Sequence, residues 1–396
     1  MPKLKKKKHK KQKPETILKF PYGFLWGAAT SSYQVEGGID NNNWAQSARV
    51  GRVPSADMAC DSYRLYEKDF YFAKSLGHNA HRLSIEWARI EPEEGKFDDK
   101  EIEHYRQVLM TLRNFGLKPF VTLWHFTLPD WFAERGGFLA PHAKVYFVRY
   151  CGYVVERLGD LADYWITINE PMVYAGMSYL RGKWPPFEKN IFDFINVTNV
   201  LATSHNLAYE KIKSLKPSLK VGIAKNNIYF DSNDKRLNRF LSWFLKWFRN
   251  HRFLNKISNH QDFIGLNYYY RMKIGSKVKL DEMGWDLYPK GIYEVLLDLK
   301  KYHKPIYVTE NGLADAKDDR REKFIKNHLS SIYQAIQKGV DVRGYLYWSL
   351  LDNYEWHHGY GPKFGLMEVN PKTMGRKVRR SAREYAKICR SNSLIL

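Results

Sequence analysis

The sequence has little cysteine and lacks a long apolar run. Its three cysteines, Cys60, Cys151 and Cys389, lie far apart and are odd in number, which excludes a disulfide framework and gives no metal-ligand spacing. This pattern favours a reducing compartment, and we expect a cytoplasmic location. No stretch of about 18 apolar residues is present to form a membrane-spanning helix. We also expect no signal peptide, because the basic N-terminus has no apolar core.

Acidic residues are too few to balance the basic ones. The 396 residues contain 64 Lys and Arg against 42 Asp and Glu, a formal net charge of +22. Residues 1–13 hold eight of the lysines and two apolar side chains, so we expect residues 1–15 to be a disordered Lys-rich tail. A basic surface attracts anionic lipid or nucleic acid, but the motifs of known RNA-binding modules are absent and we expect no specific nucleic-acid partner.

Beyond the tail, short apolar runs alternate eight times with long amphipathic runs. The predicted strands are 24–31, 80–87, 118–126, 162–170, 220–230, 262–270, 305–310 and 342–350. The predicted helices are 61–76, 99–115, 142–158, 197–215, 235–253, 291–302, 321–338 and 376–389. This alternation predicts an α/β fold, a single (β/α)8 TIM barrel that forms one catalytic domain over 16–396. An open doubly wound sheet is the alternative, and the missing Gly-rich phosphate motif argues against it.

The predicted strands end in polar and aromatic side chains, where a TIM barrel places its active site. These are Arg82, His125, Asn169, Glu170, Asn267, Tyr269, Glu310 and Trp348. Two carboxyl groups on one rim indicate glycoside hydrolysis, in which one donates a proton to the leaving oxygen and the other attacks the anomeric carbon. Glu170 and Glu310, at the ends of strands 4 and 7, are the candidates, and a retaining mechanism requires their carboxyl groups to lie ~5–5.5 Å apart.

Each of these residues has a simpler interpretation when it is taken alone. A glutamate at a strand end is often a rim ion pair, and we expect Glu86 to be one. His125 or Trp348 alone would be ordinary core residues. Their joint position on one rim is what indicates function.

Five segments of the chain occur in the order that a known family shows. They are FLWGAATSSYQVEG at 24–37, TINEP at 167–171, GLNYY at 265–269, YVTENG at 307–312 and WSLLDNYEW at 348–356. From about Phe20 to the C-terminus, the chain thus resembles glycoside hydrolase family 1, the β-glucosidase and β-galactosidase family, and in particular its shorter archaeal-type members. The resemblance implies a retaining exo-β-glycosidase that hydrolyses β-D-glucosides, and also β-galactosides or β-mannosides, with no metal or cofactor.

The resemblance also implies a role for each matching position. Glu170 matches the acid/base and Glu310 the nucleophile. The substrate-binding positions are Gln34, His125, Asn169, Tyr269, Trp348, Glu355 and Trp356. The supporting positions are Arg82, Asn267 and Phe364. Arg82 is expected to keep Glu310 ionised, because a nearby cation stabilises a carboxylate.

The chain departs from the family pattern in places that bear on substrate. Phe126 stands where the family usually has Trp, which removes an indole N–H near the glycone. Glu355 stands where phospho-glycosidases carry Ser, and its carboxylate would repel a 6-phosphate, so we expect an unphosphorylated sugar. The segments 230–262 and 271–285 are trimmed. Both should lie beside the aglycone entrance, which predicts an open outer site that accepts long or alkyl aglycones.

Residues 235–253 are unusually aromatic and basic. Leu237, Phe240, Leu241, Phe244, Leu245 and Phe248 recur at helical spacing, and we expect the helix to pack this stripe inward, as barrel helices do. The alternative is peripheral contact with an anionic membrane surface, because Trp243 and Trp247 stand among lysines and arginines.

Two other functions stay open at this point. A transglycosidase would use the same covalent intermediate with an alcohol in place of water. A basic lipid- or nucleic-acid-binding protein on an inactive barrel would explain the net charge of +22, but it predicts the loss of one catalytic glutamate, and both glutamates are present.

Overall fold

The computed structural model describes residues 16–278, 280–281 and 283–396, so the predicted tail at 1–15 lies outside the described residues. Eight parallel strands form a closed barrel. In chain order they are β1 (Leu25–Ala29), β2 (Ala80–Ser84), β3 (Lys118–Trp124), β4 (Tyr164–Asn169), β5 (Lys220–Asn226), β6 (Phe263–Asn267), β7 (Ile306–Asn311) and β8 (Val342–Trp348). Each strand pairs with the next, and β8 pairs with β1. The predicted (β/α)8 barrel is confirmed.

A long helix follows each barrel strand. These helices are α1 (Ser62–Ser75), α2 (Asp99–Asn114), α3 (Ala143–Leu158), α4 (Ile191–Leu215), α5 (Arg236–Lys246), α6 (Pro289–Leu299), α7 (Arg321–Gln337) and α8 (Arg380–Ser391). Helix α5 continues through a π-helical turn, Trp247–His251, into Arg252–Ile257. The predicted start of the last helix at Arg376 was wrong, because Arg376–Val378 pairs with Met367–Val369 as a short sheet and the Arg376 guanidinium binds Asp69 at 2.7 Å.

Shorter elements lie between the barrel elements. Two further strand pairs join Ile17–Lys19 to Ser393–Ile395 and Tyr229–Ser232 to Arg271–Ile274. The short helices and turns are Ser32–Val35, Asn43–Arg49, Trp87–Ile90, Asp130–Glu134, Gly137–Leu139, Pro171–Ala175, Gly176–Leu180, Lys300–Tyr302 and Trp356–His358.

The barrel interior is filled by one buried side chain from each strand. These are Leu25, Ala80, Phe120, Ile166, Ala224, Phe263, Tyr307 and Leu346. A second and larger core lies between the strands and the surrounding helices. Because both faces of every strand are covered, the strands can be almost continuously apolar. The polar residues that interrupt them at their carboxyl ends therefore stand out.

Helix α5 and its continuation pack only the end of the predicted apolar stripe inward, so that prediction was wrong for most of the stripe. Leu237, Phe240, Leu241 and Phe244 are exposed, whereas Leu245 and Phe248 are half-buried. Ser242 is the buried residue of this helix. The cause is the short strand pair Tyr229–Ser232 and Arg271–Ile274, on which α5 packs. The helix therefore buries a narrow polar side and leaves its apolar side in solvent.

Candidate active site

One cavity of ≈ 480 Å³ brings together most of the predicted site residues. Its lining includes Gln34, His125, Asn169, Glu170, Tyr269, Glu310, Trp348, Glu355, Trp356 and Phe364. The other two predicted residues, Arg82 and Asn267, are fully buried and hydrogen-bond to residues of this wall. The residues lie at the carboxyl ends of the barrel strands, where the sequence predicts them.

Glu310 is held by a buried cation and a phenol. It lies near the end of β7, where the Arg82 guanidinium forms an ion pair with it and the Tyr269 hydroxyl donates to it at 2.6 Å. The guanidinium is fixed in turn, because its Nε donates to Thr122 at 3.0 Å and its Nη2 to Asn169 at 2.7 Å. Charge-assisted donors of this kind stabilise the ionised form of the Glu310 carboxyl group.

Glu170 has the opposite surroundings. It directly follows β4 with a left-handed backbone (φ 44°, ψ 58°), a conformation that costs free energy for a residue other than glycine and is found at functional sites. Asn267 Nδ2 donates to its Oε1 at 2.8 Å. Burial, and then the negative charge of Glu310, raise the pKa of Glu170 to about 8. Glu170 therefore keeps its proton at neutral pH.

Asn169 links the two carboxyl groups. Its Oδ1 accepts from Arg82 and from Asn267, the latter at 3.2 Å. Because a guanidinium only donates, the amide oxygen must face it, and the amide nitrogen faces His125 Nε2 at 3.1 Å. Burial, and then Arg82, lower the pKa of His125 well below its usual value, so the ring is neutral and accepts at Nε2. Glu170 and Glu310 thus belong to one hydrogen-bonded network.

The remaining wall combines flat rings with polar groups. The rings of Trp348 and Trp356 lie at 20° and 14° to that of His125, with centroids 6.1 and 5.9 Å away. Glu355 accepts from Trp348 and, at 3.5 Å, from Gln34 Nε2. Burial, then the charges of Glu310 and Glu170, raise the pKa of Glu355 to about 8. Rings beside a few fixed polar groups suit a sugar, which presents C–H faces and hydroxyls.

Comparison with known proteins decides the family. The model of glycosyl hydrolase family 1 matches residues 17–259 and 271–394. The chain belongs to glycoside hydrolase family 1. The family resemblance in the sequence is thereby confirmed, and the protein is a glycoside hydrolase.

Relatives of this family 1 hydrolase are similar over nearly the whole chain. Beta-glucosidase A of Thermotoga maritima is 33% identical over 446 residues, which cover 96% of this chain and 99% of the relative. The beta-galactosidase of Pyrococcus woesei is 31% identical over 480 residues, 90% of this chain and 94% of the relative. A solved beta-glycosidase from Pyrococcus horikoshii has a TM-score of 0.91 at 39% identity and covers 96% of each chain.

The cavity of this family 1 hydrolase also contains residues that were not predicted from the sequence. Arg249 lines the cavity, and its Nη1 donates to the Met172 carbonyl at 2.5 Å. The sequence groups Arg249 with surface cations, and no local pattern shows that its side chain turns inward. Trp184 also lines the cavity, and Trp285 packs on Tyr269 with ring centroids 5.0 Å apart.

The prediction that Glu86 forms a rim ion pair was wrong. Its side chain is fully buried and accepts from Ser32 Oγ at 2.9 Å and Thr127 Oγ1 at 2.8 Å. Burial is the main cause that raises the pKa of Glu86 to about 7. Hydroxyl donors satisfy this carboxyl group, so a cation is not needed.

The two trimmed segments both reach the cavity of the family 1 hydrolase. Phe230, Leu245 and Phe248 line it from the first segment, and Met272 and Met283 from the second. Apart from Arg249, the side chains that these segments place in the wall are apolar, in contrast to the polar part around Glu170. Within residues 16–278, 280–281 and 283–396, no helix is both long enough and apolar enough to cross a membrane.

Proposed function

We propose that this family 1 hydrolase is a retaining exo-β-glycosidase acting on β-D-glucosides, with Glu170 as acid/base and Glu310 as nucleophile. The observation that carries the proposal is the contrast between two glutamates in one cavity. Burial and a neighbouring charge raise the pKa of Glu170 to about 8, whereas Glu310 is paired with Arg82. A buried carboxyl group that keeps its proton, beside one that is paired with a cation, suits an acid and a nucleophile.

The first step forms a covalent intermediate. Glu170 gives its proton to the glycosidic oxygen, the bond from that oxygen to the anomeric carbon breaks, and the alcohol leaves with the electron pair. A Glu310 oxygen bonds to the anomeric carbon from the opposite face. Tyr269 and Arg82 hold Glu310 in place. The same hydrogen-bonded network fixes the side chain of Asn169, which would face the sugar 2-hydroxyl.

In the second step, water attacks the covalent intermediate from the face that the alcohol left. Glu170, now ionised, takes a proton from a water molecule whose oxygen attacks the anomeric carbon and displaces Glu310. Two inversions give net retention. Glu170 thus acts first as acid and then as base, and Glu310 acts first as nucleophile and then as leaving group.

The wall favours a neutral sugar. Gln34, Glu355 and Trp356 would bind glycone hydroxyls, and Trp348 would stack on the ring. At Glu355 the wall offers a sugar 6-phosphate a carboxyl group instead of a cation, and Lys363 is not among the described residues that line the cavity. The printed names of the Thermotoga and Pyrococcus relatives support glucosides and galactosides as substrates, and we include β-mannosides as the third class to test.

Hydrolysis is favoured over the two alternatives. The names of those two relatives are those of hydrolases, which gives a transglycosidase less support. An inactive barrel that only binds lipid or nucleic acid would not keep both glutamates in one cavity with opposite surroundings. Three buried free thiols, Cys60, Cys151 and Cys389, suit a reducing compartment, and the cytoplasmic location stays a prediction.

The test uses aryl β-D-glucoside, β-D-galactoside, β-D-mannoside and 6-phospho-β-D-glucoside. We expect wild type to hydrolyse at least one unphosphorylated substrate and Glu310→Ala to lose nearly all activity. Azide should then restore turnover of the variant and give the α-glycosyl azide, because a small anion replaces the missing carboxylate on the same face. Glu103→Ala, at an exposed position on α2, is the control.

Full activity of Glu310→Ala would contradict the proposed nucleophile. A folded wild type that is inactive on all four substrates would contradict the glycosidase itself and favour a binding role.

A further inference from the structure

The cavity carries cations that the proposed mechanism does not use. Among the described residues that line it, the charged or acidic side chains are Arg181, Lys183, Arg249, Glu170, Glu310 and Glu355. Burial, and then the charge of Glu310, raise the pKa values of Glu170 and Glu355 to about 8, so both carry a proton at neutral pH. Glu310 is already paired with Arg82. The described lining therefore has a net positive charge, which attracts anions.

Arg249 is the most buried of the three lining cations. It is half-buried, whereas Arg181 and Lys183 are exposed. Its guanidinium donates to two neutral acceptors, the Met172 carbonyl and, at 3.3 Å, the amide oxygen of Asn226. Within the described part of the chain no carboxylate forms an ion pair with it.

The guanidinium of Arg249 thus lacks a counter-ion and keeps free donors. Two of its five N–H groups are used in the bonds to Met172 and Asn226, and three remain. Burial is the main cause that lowers the pKa of Arg249, and the charge of Arg181 lowers it further. A partly buried cation in this situation is stabilised by an anionic ligand.

Arg249 lies on the aglycone side of the acid/base. Its guanidinium binds the carbonyl two residues after Glu170 and a side chain at the end of β5. The proposed glycone groups come from β1, β8 and the segments that follow them, on the other side of the barrel. Because Glu170 gives its proton to the leaving oxygen, a group beyond it and away from the glycone faces the aglycone.

Apolar side chains surround this cation in the wall. They include Met177, Leu180, Phe194, Phe230, Leu245 and Phe248, and the rings of Phe194 and Phe248 are 6.0 Å apart. Nearby carboxyl groups do not neutralise the region, since Glu188 and Asp193 hydrogen-bond to each other and are not among the described lining residues. An apolar wall that contains a free guanidinium suits a ligand with an apolar body and an anionic end.

We propose that Arg249, assisted by Arg181, forms an anion-binding subsite for the aglycone, and that the preferred substrates are β-glycosides of hydroxyaryl acids. The planar fork of Arg249 matches a carboxylate, and the apolar wall takes the aryl ring. Arg181 adds its charge at the cavity mouth. This inference rests on the proposed function, because the aglycone is defined by the bond that Glu170 and Glu310 cleave.

The test compares two aryl β-D-glucosides that differ in charge. One carries a para-carboxymethyl group on the phenyl ring and the other a para-carbamoylmethyl group, so the two have nearly equal size and the same bond is broken. We would measure kcat/KM on both for wild type, Arg249→Gln, Arg249→Lys and Arg181→Gln. The control is Arg383→Gln, which removes an exposed arginine on α8 that is not among the described lining residues.

We expect wild type to favour the acid over the amide about tenfold, as a charge-assisted hydrogen bond would, and less at high salt. Arg249→Gln should abolish the preference, and Arg249→Lys should keep part of it. Arg181→Gln should reduce it about twofold, since an exposed charge contributes less. Arg383→Gln should match wild type.

Equal kcat/KM of active wild type on the two glucosides overturns the proposal. The same holds if Arg249→Gln loses activity on both by one common factor, because the arginine then only holds the Met172 carbonyl in place.

Binding of the free aglycones, measured by calorimetry, separates this inference from the proposed function. Wild type should bind para-hydroxyphenylacetate more tightly than para-hydroxyphenylacetamide, and Arg249→Gln should lose the difference. Inactivity of wild type on both glucosides would reject the glycosidase, and the binding comparison would still decide the anion site. Equal binding of the acid and the amide to wild type rejects that site.

Discussion

At the scale of single residues, chemically identical side chains differ in what surrounds them. Glu170 gains one amide donor, from Asn267, and lies buried beside another carboxyl group. Glu310 gains a guanidinium and a phenol. The first environment disfavours a negative charge and the second stabilises one. The proposed division of labour is thus built into neighbours on or just after β2 and β6 rather than into the two glutamates.

The pH dependence of catalysis should report this difference. Glu170 acts only while it carries a proton, and its raised pKa keeps the proton on below about pH 8. We expect kcat/KM for an alkyl β-glucoside to fall as the pH rises through about 8, because the acid form disappears. Glu170→Gln should lose this limb of the pH–rate profile, whereas Glu355→Gln, which removes the other carboxyl group with a pKa near 8, should keep it.

A second readout does not depend on turnover. The charge of Glu310 is the second cause of the raised pKa, after burial, so Glu310→Gln should lower the pKa of Glu170. Carbon-13 NMR of labelled glutamate carboxyl groups measures it directly. An unchanged pKa in that variant would show that the two groups do not interact.

Predictability from sequence also differs from residue to residue. The strand ends predicted His125, Asn169, Glu170, Tyr269, Glu310 and Trp348, which the cavity does collect, because the barrel dictates where strand ends meet. The other four predicted residues that line the cavity, Gln34, Glu355, Trp356 and Phe364, rested on the family resemblance. Arg249 was not predicted as a cavity residue, since its direction depends on how the turn Trp247–His251 sits on the barrel. Its guanidinium bonds to Met172 and Asn226 are long-range contacts that a local pattern does not encode.

At the scale of elements, the presence of the strands was predicted better than the residues at which they end. The predicted strand 80–87 stops at Ser84, and Trp87–Ile90 is already helical. Apolar content continues past the last ladder bond, so it does not mark where pairing stops. Helix α5 shows a second limit of prediction from sequence. Amphipathicity shows that a helix has an apolar face, but the neighbouring strand pair decides whether that face is covered.

The end of β7 gives a prediction at this scale. Gly312 follows β7, and a Cβ there would lie 1.9 Å from the Trp348 carbonyl oxygen at the end of β8. Gly312→Ala must therefore push the two strand ends apart, and we expect it to lower the free energy of unfolding by about 1–3 kcal/mol. KM should also rise, because Trp348 moves. Urea unfolding and aryl β-glucoside kinetics measure both.

The control is Gly361→Ala, where the nearest atom to the added Cβ is 3.5 Å away. This change should stay within about 0.5 kcal/mol of wild type. Equal stabilities for the two variants would mean that the β7 and β8 ends separate at little cost.

At the scale of the whole molecule, the net charge of +22 could be read from the sequence, but its distribution could not. Only the fold shows that Arg236 and Arg239 flank an exposed apolar face while Arg82 and Arg321 are fully buried. The same holds for the chain ends. Neither segment alone indicates that Ile17–Lys19 and Ser393–Ile395 form one antiparallel pair, since the pairing crosses nearly the whole length of the sequence.

This pair should support the closed barrel, because it ties the segment before β1 to the segment after α8. Leu394 is fully buried opposite Leu18, and Asn392, two residues before it, accepts from Trp26 Nε1 at 2.9 Å. We expect Leu394→Ala to lower the free energy of unfolding by about 2–5 kcal/mol, the usual result of removing a buried leucine side chain. Ile395→Ala, one residue along the same strand and 51% exposed, should change it by less than about 0.5 kcal/mol. Urea unfolding followed by tryptophan fluorescence measures both variants. If they prove equally stable, the strand pair contributes nothing to the barrel and the two ends merely lie side by side.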